Sequence, residues 1–124
     1  MMKVLVYCIL LVSLPSIAVP NKNEIIDARE KLKKWGMAYC LSDRYSGSLN
    51  IDSSVALDGY FQLGKHNSED AYSAVRAYFK ASLKKNTKTS ILTEKENILM
   101  NCLDAYESNE YERIIKQQDK WIMD

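Results

Sequence analysis

Residues 69–85 read Glu-Asp-Ala-Tyr-Ser-Ala-Val-Arg-Ala-Tyr-Phe-Lys-Ala-Ser-Leu-Lys-Lys, and this run decides the fold. Ala71, Tyr72, Val75, Tyr78, Phe79 and Leu83 recur with helical spacing and form the most regular apolar stripe in the chain. Glu69 and Asp70 open the run while Lys80, Lys84 and Lys85 lie toward its end, a charge gradient that complements the helix dipole. Asn67 or Ser68 suits the N-cap and Asn86 the stop.

The same period extends outward in both directions. From Glu24 to about Asp43 the residues Ile25, Ala28, Leu32, Trp35 and Tyr39 step by three and four, and Asn21 with Glu24 forms a capping box at the start. The stretch from Ser42 to Ile51, with Ser46, Gly47, Ser48 and Asn50, reads as a loop. Asp52 and Ser53 then suit the cap of a short second helix ending at Gly64. Its apolar residues Val55, Ala56, Leu57, Tyr60, Phe61 and Leu63 run nearly around the cylinder, the pattern of a segment buried on several sides. Downstream, Thr93 and Glu96 make a second capping box. The inner face that follows is Ile98, Leu99, Cys102, Leu103 and Tyr106. Ser108 suits the cap of a fifth helix carrying Tyr111, Ile114, Ile115, Gln118 and Trp121. The expected fold is all-α, an irregular bundle of about five helices with one disulfide.

Residues 1–18 carry the three parts of a secretory signal: Lys3, the apolar run from Val4 to Leu14, and small residues at Ser16 and Ala18. The expectation is cleavage after Ala18, leaving a single helical domain over 19–124 with no membrane insertion. Loss of Lys3 takes the 17 basic residues to 16, equal to the 16 acidic ones. A neutral mature chain gives no reason to expect nucleic acid or an anionic membrane as partner.

Cys8 leaves with the signal, so the secreted domain keeps Cys40 and Cys102. A disulfide between them is the simplest reading in an oxidising compartment, and two unrelated buried thiols are the alternative. The bridge would close a loop of about 60 residues, for which chain entropy gives on the order of 4 kcal/mol.

No catalytic, metal or cofactor signature stands out. His66, the single histidine, falls in a turn with no nucleophile pattern near it and reads as a solvated turn residue. The acidic residues Glu94, Glu96, Asp104, Glu107, Glu110 and Glu112 suit helix starts and surfaces better than a paired-carboxylate cleft. Eight tyrosines less Tyr7 leave seven in the mature chain, which fill a core or meet a partner.

Several motifs in this order carry a family resemblance: Ala38-Tyr39-Cys40-Leu41, Gly59-Tyr60-Phe61, Ala71-Tyr72 with Tyr78-Phe79, and Met100-Asn101-Cys102-Leu103-Asp104-Ala105-Tyr106-Glu107-Ser108. Together they resemble the type VI secretion amidase immunity proteins, the group paired with family-four amidase effectors. The stretch from Cys102 to Ser108 is the most specific part, and the likeness covers nearly the whole mature chain. The resemblance implies a periplasmic homodimer that binds a peptidoglycan-cleaving cysteine amidase and blocks its active-site groove, with Cys40 and Cys102 as the structural pair. It implies no cofactor and no chemistry of its own. In that family a helix and a loop from different subunits make the inhibitory surface, but the contact residues match no motif here and are not carried over.

The chain's own composition nominates Asn86, Thr87, Lys88, Thr89 and Ser90 as the inserting element, helped by Lys84 and Lys85 at the preceding helix end. Lys88 is a long side chain on a small polar loop, suited to entering a groove. The same run also reads as an ordinary solvated connection. A different reading of the whole chain, a secreted helical carrier of a small apolar ligand, asks for more cysteines and for apolar residues beyond those one core consumes.

Overall fold

The structure, a computed structural model, describes residues 12–14, 19–85 and 96–123. Among these residues it contains five α-helices: α1 (Lys22–Arg44), α2 (Ser48–Leu63), α3 (Glu69–Lys85), α4 (Ile98–Tyr106) and α5 (Asn109–Gln117), the last continued by a 3-10 turn over Gln118–Trp121. The all-α expectation holds. The proposed leader lies almost wholly outside the described residues, as do Asn86 to Ser90 and Thr93. No described helix is long and apolar enough to cross a membrane.

The long α1 is the organising element and packs on each of the other four helices, most extensively on α2. Its start is set by the expected capping box, with the Asn21 side chain accepting from the Glu24 amide at 2.9 Å and the Glu24 carboxylate accepting from the Asn21 amide at 3.1 Å. Ala28, Leu32, Trp35 and Ala38 turn inward from α1 onto the α3 stripe, all six of whose apolar residues are buried. Aromatic rings fill the centre. Tyr111 of α5 stacks on Tyr78 with centroids 4.9 Å apart and meets the edge of Phe79 at 5.0 Å, while Trp35 meets Tyr72 edge-on at 4.9 Å. Two of the buried hydroxyls donate to backbone carbonyls: Tyr78 to Ala105 at 2.7 Å and Tyr111 to Lys33 at 2.7 Å.

The Cys40–Cys102 disulfide is present, with Cα atoms 6.0 Å apart and both cysteines essentially inaccessible, and it clamps the end of α1 to α4. Ion pairs add further ties to α1: Arg29 with Asp119 of the 3-10 turn, Lys33 with Glu112 of α5, and Arg44 with Glu96 at 3.3 Å. These pairs are partly exposed, so their worth is modest and they chiefly fix orientation.

The structure departs from the sequence expectations at three places. The loop after α1 is only Tyr45 to Gly47, not the whole stretch to Ile51, because Gly47 reverses the chain with φ of 75° and α2 starts at Ser48 instead of after Asp52 or Ser53. Within α2 only Ser53 is buried, and Ile51, Val55, Phe61 and Leu63 are each more than half exposed, so the helix is packed on one side rather than several. Helix α4 begins at Ile98, where Asn97 caps it by accepting from the Met100 amide at 3.2 Å. Its inner face is Asn101, Cys102 and Ala105, and Leu99 and Leu103 point outward, since the disulfide fixes the rotation of this short helix.

Candidate partner-binding surface

Of the nominated inserting element, the described part is the α3 terminus. Lys84 and Lys85 are exposed there, and Lys85 borders a groove of about 300 Å³ between α3 and α5 whose walls are Ala74, Ala77, Tyr78, Ala81, Ser82, Glu110 and Ile114. Alanines at 74, 77 and 81 keep this wall low. The residues flanking 86–95 are held on both sides, by α3 before and by the Glu96–Arg44 pair after. Asn86, Thr87, Lys88, Thr89 and Ser90 themselves lie outside the described residues.

Two apolar surfaces escaped the sequence reading. On α2, Ile51, Val55 and Gly59 follow one another at intervals of four, and beyond Gly59 lies open space. On α4, Leu99, Met100 and Leu103 are all more than two-fifths exposed, a few residues past Glu96. The signal for the first was in plain view, because apolar residues around a whole helix ask for cover on two sides and α1 supplies only one. Between α1, α2 and α4 lies a third feature, an open groove of about 350 Å³ lined by Met37, Ala38, Leu41, Ala56, Tyr60 and Tyr106, with Lys34 and Asp52 at its lip.

Several of the residues that chemistry would need are otherwise engaged. Both sulfurs of Cys40 and Cys102 are consumed in the bridge. Glu112 is paired with Lys33, Glu96 with Arg44, and Glu110 approaches Arg113 at 3.8 Å. His66 corrects its expected solvated placement: it is only 6% exposed, and its Nδ1 and Nε2 are both buried without a hydrogen-bond partner. The cause is the C-terminal segment, which crosses the turn between α2 and α3. There the Asn67 amide donates to the Trp121 carbonyl and the Met123 amide to the Lys65 carbonyl, each at 2.7 Å, in an antiparallel bridge of His66 with Ile122. Burial pushes the imidazole below its ordinary pKa, with Asp119 pulling weakly the other way. Among the described residues no group of three or more His, Cys, Asp or Glu side chains is placed to hold a metal ion.

Fold and surface together define a small, disulfide-pinned helical domain that presents outward apolar ridges over a filled aromatic core. The chain belongs to the Tai4 family, described as type VI secretion system amidase immunity protein, whose sequence profile matches residues 30–115. The fold is similar to a structure of the effector–immunity system Tae4/Tai4 from Salmonella typhimurium, selenomethionine variant. The TM-score is 0.62 at 21% identity, over 73% of this chain and 87% of that one. No curated protein sequence matches.

Proposed function

We propose that this protein, an immunity protein for an amidase effector by its family, acts in the periplasm after loss of residues 1–18. There it binds a type VI secreted peptidoglycan amidase and covers its active-site groove. The observation that carries the reading is the family match over 30–115, which takes in α2, α3, α4 and most of α5. Its exposed apolar ridges support it, because contiguous apolar surface of this kind marks places where another molecule docks. The protein is an inhibitor by steric occlusion, with no reaction of its own. Asn86 to Ser90, together with Lys84 and Lys85, form the element that enters the groove, with Lys88 leading. A second copy of the chain covers the Ile51, Val55 and Gly59 ridge of α2, giving a homodimer.

The test is direct. The purified secreted domain is mixed with its cognate type VI amidase, and peptidoglycan hydrolysis is followed. A stoichiometric complex with loss of hydrolysis is expected, and full hydrolysis at excess immunity protein overturns the reading. Replacing Lys88 and Thr89 with alanine should weaken inhibition at least tenfold, about 1.4 kcal/mol of binding; unchanged inhibition removes the loop assignment while leaving the inhibitor reading in place.

A further inference from the structure

The imidazole of His66 is buried where three residues of the C-terminal segment pair with its turn. Ile122, itself buried, is bridged to His66 through the backbone, and the two hydrogen bonds on either side are the only backbone ones that hold the tail to this turn among the described residues. A neutral ring leaves one N–H donor and one nitrogen lone pair unpaired, a cost well below that of burying a charge. An imidazolium does not, because both N–H groups would then be charged donors with no acceptor in reach.

Every charged group around the ring has other commitments. Asp119, in the 3-10 turn, is held by the Arg29 guanidinium of α1, whose Nε donates to its Oδ1 at 2.9 Å. Glu69, which lines the same cavity as His66 at the start of α3, is paired with Arg76. Lys65 is next in sequence and repels a cation, although Asp27 of α1 tempers its charge. Tyr72 lines the cavity as a neutral phenol, kept so by burial. The start of α3, three residues on, presents the positive end of its dipole to the same turn.

We propose that Trp121–Met123 is a pH-sensitive clasp, closed over neutral His66 and opened when that ring takes a proton from solvent. Opening is confined to the tail, because the Arg29–Asp119 pair anchors the chain just before it. It frees the Lys65–Asn67 backbone and widens the cavity of about 400 Å³ between Phe61, Tyr72 and Met123. The sign follows from linkage. The closed form has the lower pKa, so the open form binds the proton more tightly, and closure is complete above the free-histidine value of about 6.5 and lost progressively below it.

Hydrogen exchange of the Asn67 and Met123 amides between pH 7.5 and 5, corrected for intrinsic rates, reads the clasp in the full secreted domain. Their protection should fall by up to about tenfold per pH unit below 6.5, while the Val75 amide in α3 keeps its own. In His66→Phe, which keeps a ring and removes the titration, the protection of both tail amides should become independent of pH. Because His66 is the sole histidine, its imidazole resonances in the unaltered protein give a second reading that needs no variant. A titration midpoint below 6.5, tracking the loss of tail protection, supports the clasp. A midpoint at or above 6.5, tail protection that ignores pH, or the same pH dependence in His66→Phe overturns it.

Discussion

The hydroxyl of Tyr111 donates to the Lys33 carbonyl across 2.7 Å, and it passes over Gly36, where α1 has no side chain to obstruct it. A Cβ built on Gly36 would collide with that hydroxyl oxygen and stand 2.6 Å from Val75 Cγ1 and 2.7 Å from Phe79 Cε2. On propensity alone Gly36→Ala would stabilise a helix interior by about 1 kcal/mol. The overpacking opposes this with about 1–3 kcal/mol or more, since three helices meet at the point and none has a flexible chain end to give. The expected outcome is a net loss of stability, read as a lower urea midpoint. A raised midpoint would mean that α1, α3 and α5 do not pack as described.

The disulfide joins residues 62 apart in sequence. Closing a loop of that length should restrict the unfolded chain by on the order of 4 kcal/mol, comparable with the whole stability of many small domains. Replacing both cysteines with serine should therefore lower the unfolding free energy by a few kcal/mol and leave two buried hydroxyls in an apolar site. Equal denaturation midpoints with and without reductant would contradict this.

What was legible in the sequence were features written in local order. The Asn21–Glu24 box, the α3 stripe, the Ser108 cap, whose side chain accepts from the Tyr111 amide at 3.0 Å, and the cysteine pair all follow from spacing and residue type. The start of α2 turned on the local reversal at Gly47, but two other misread features depended on partners far along the chain. The burial of His66 accompanies its backbone bridge to Ile122, over fifty residues away, and no pattern around the turn announces it. The outward rotation of Leu99 and Leu103 follows from the Cys102 bridge to α1 rather than from the apolar count of α4. Site residues were harder still. A surface that meets another molecule obeys that molecule's shape, and the surplus of apolar residues on α2 is the one local sign of the surface proposed above.

That surplus gives a test of the proposed dimer. Ile51→Glu and Val55→Glu place charge on a ridge whose side chains are more than half exposed. Each should change the unfolding free energy by no more than about 0.5 kcal/mol, as for other surface sites. Each should also convert a dimer to a monomer in light scattering, because an unpaired carboxylate buried in an interface is strongly unfavourable. A dimer that survives both changes would place the second copy elsewhere.

Tyr111 supplies a prediction at the alkaline end. Enclosure by the core, with Tyr106, Tyr78 and Glu112 adding negative or potentially negative neighbours, raises its hydroxyl well above the ordinary value of 10. The unfolded chain then loses this proton first, so the stabilisation is intact below pH 10 and declines as pH rises toward the folded pKa, by up to about 1.4 kcal/mol per unit for one such group. Tyr72 is shifted in the same direction by burial, so it contributes to the same decline. In Tyr111→Phe the slope of unfolding free energy against pH above 10 should be shallower but not flat. Its stability at neutral pH should drop by about 1 kcal/mol through loss of the bond to Lys33. Denaturant titrations from pH 7 to 11 separate the two effects, and a slope identical to that of the unaltered protein would show that this hydroxyl ionises as freely inside the bundle as outside it.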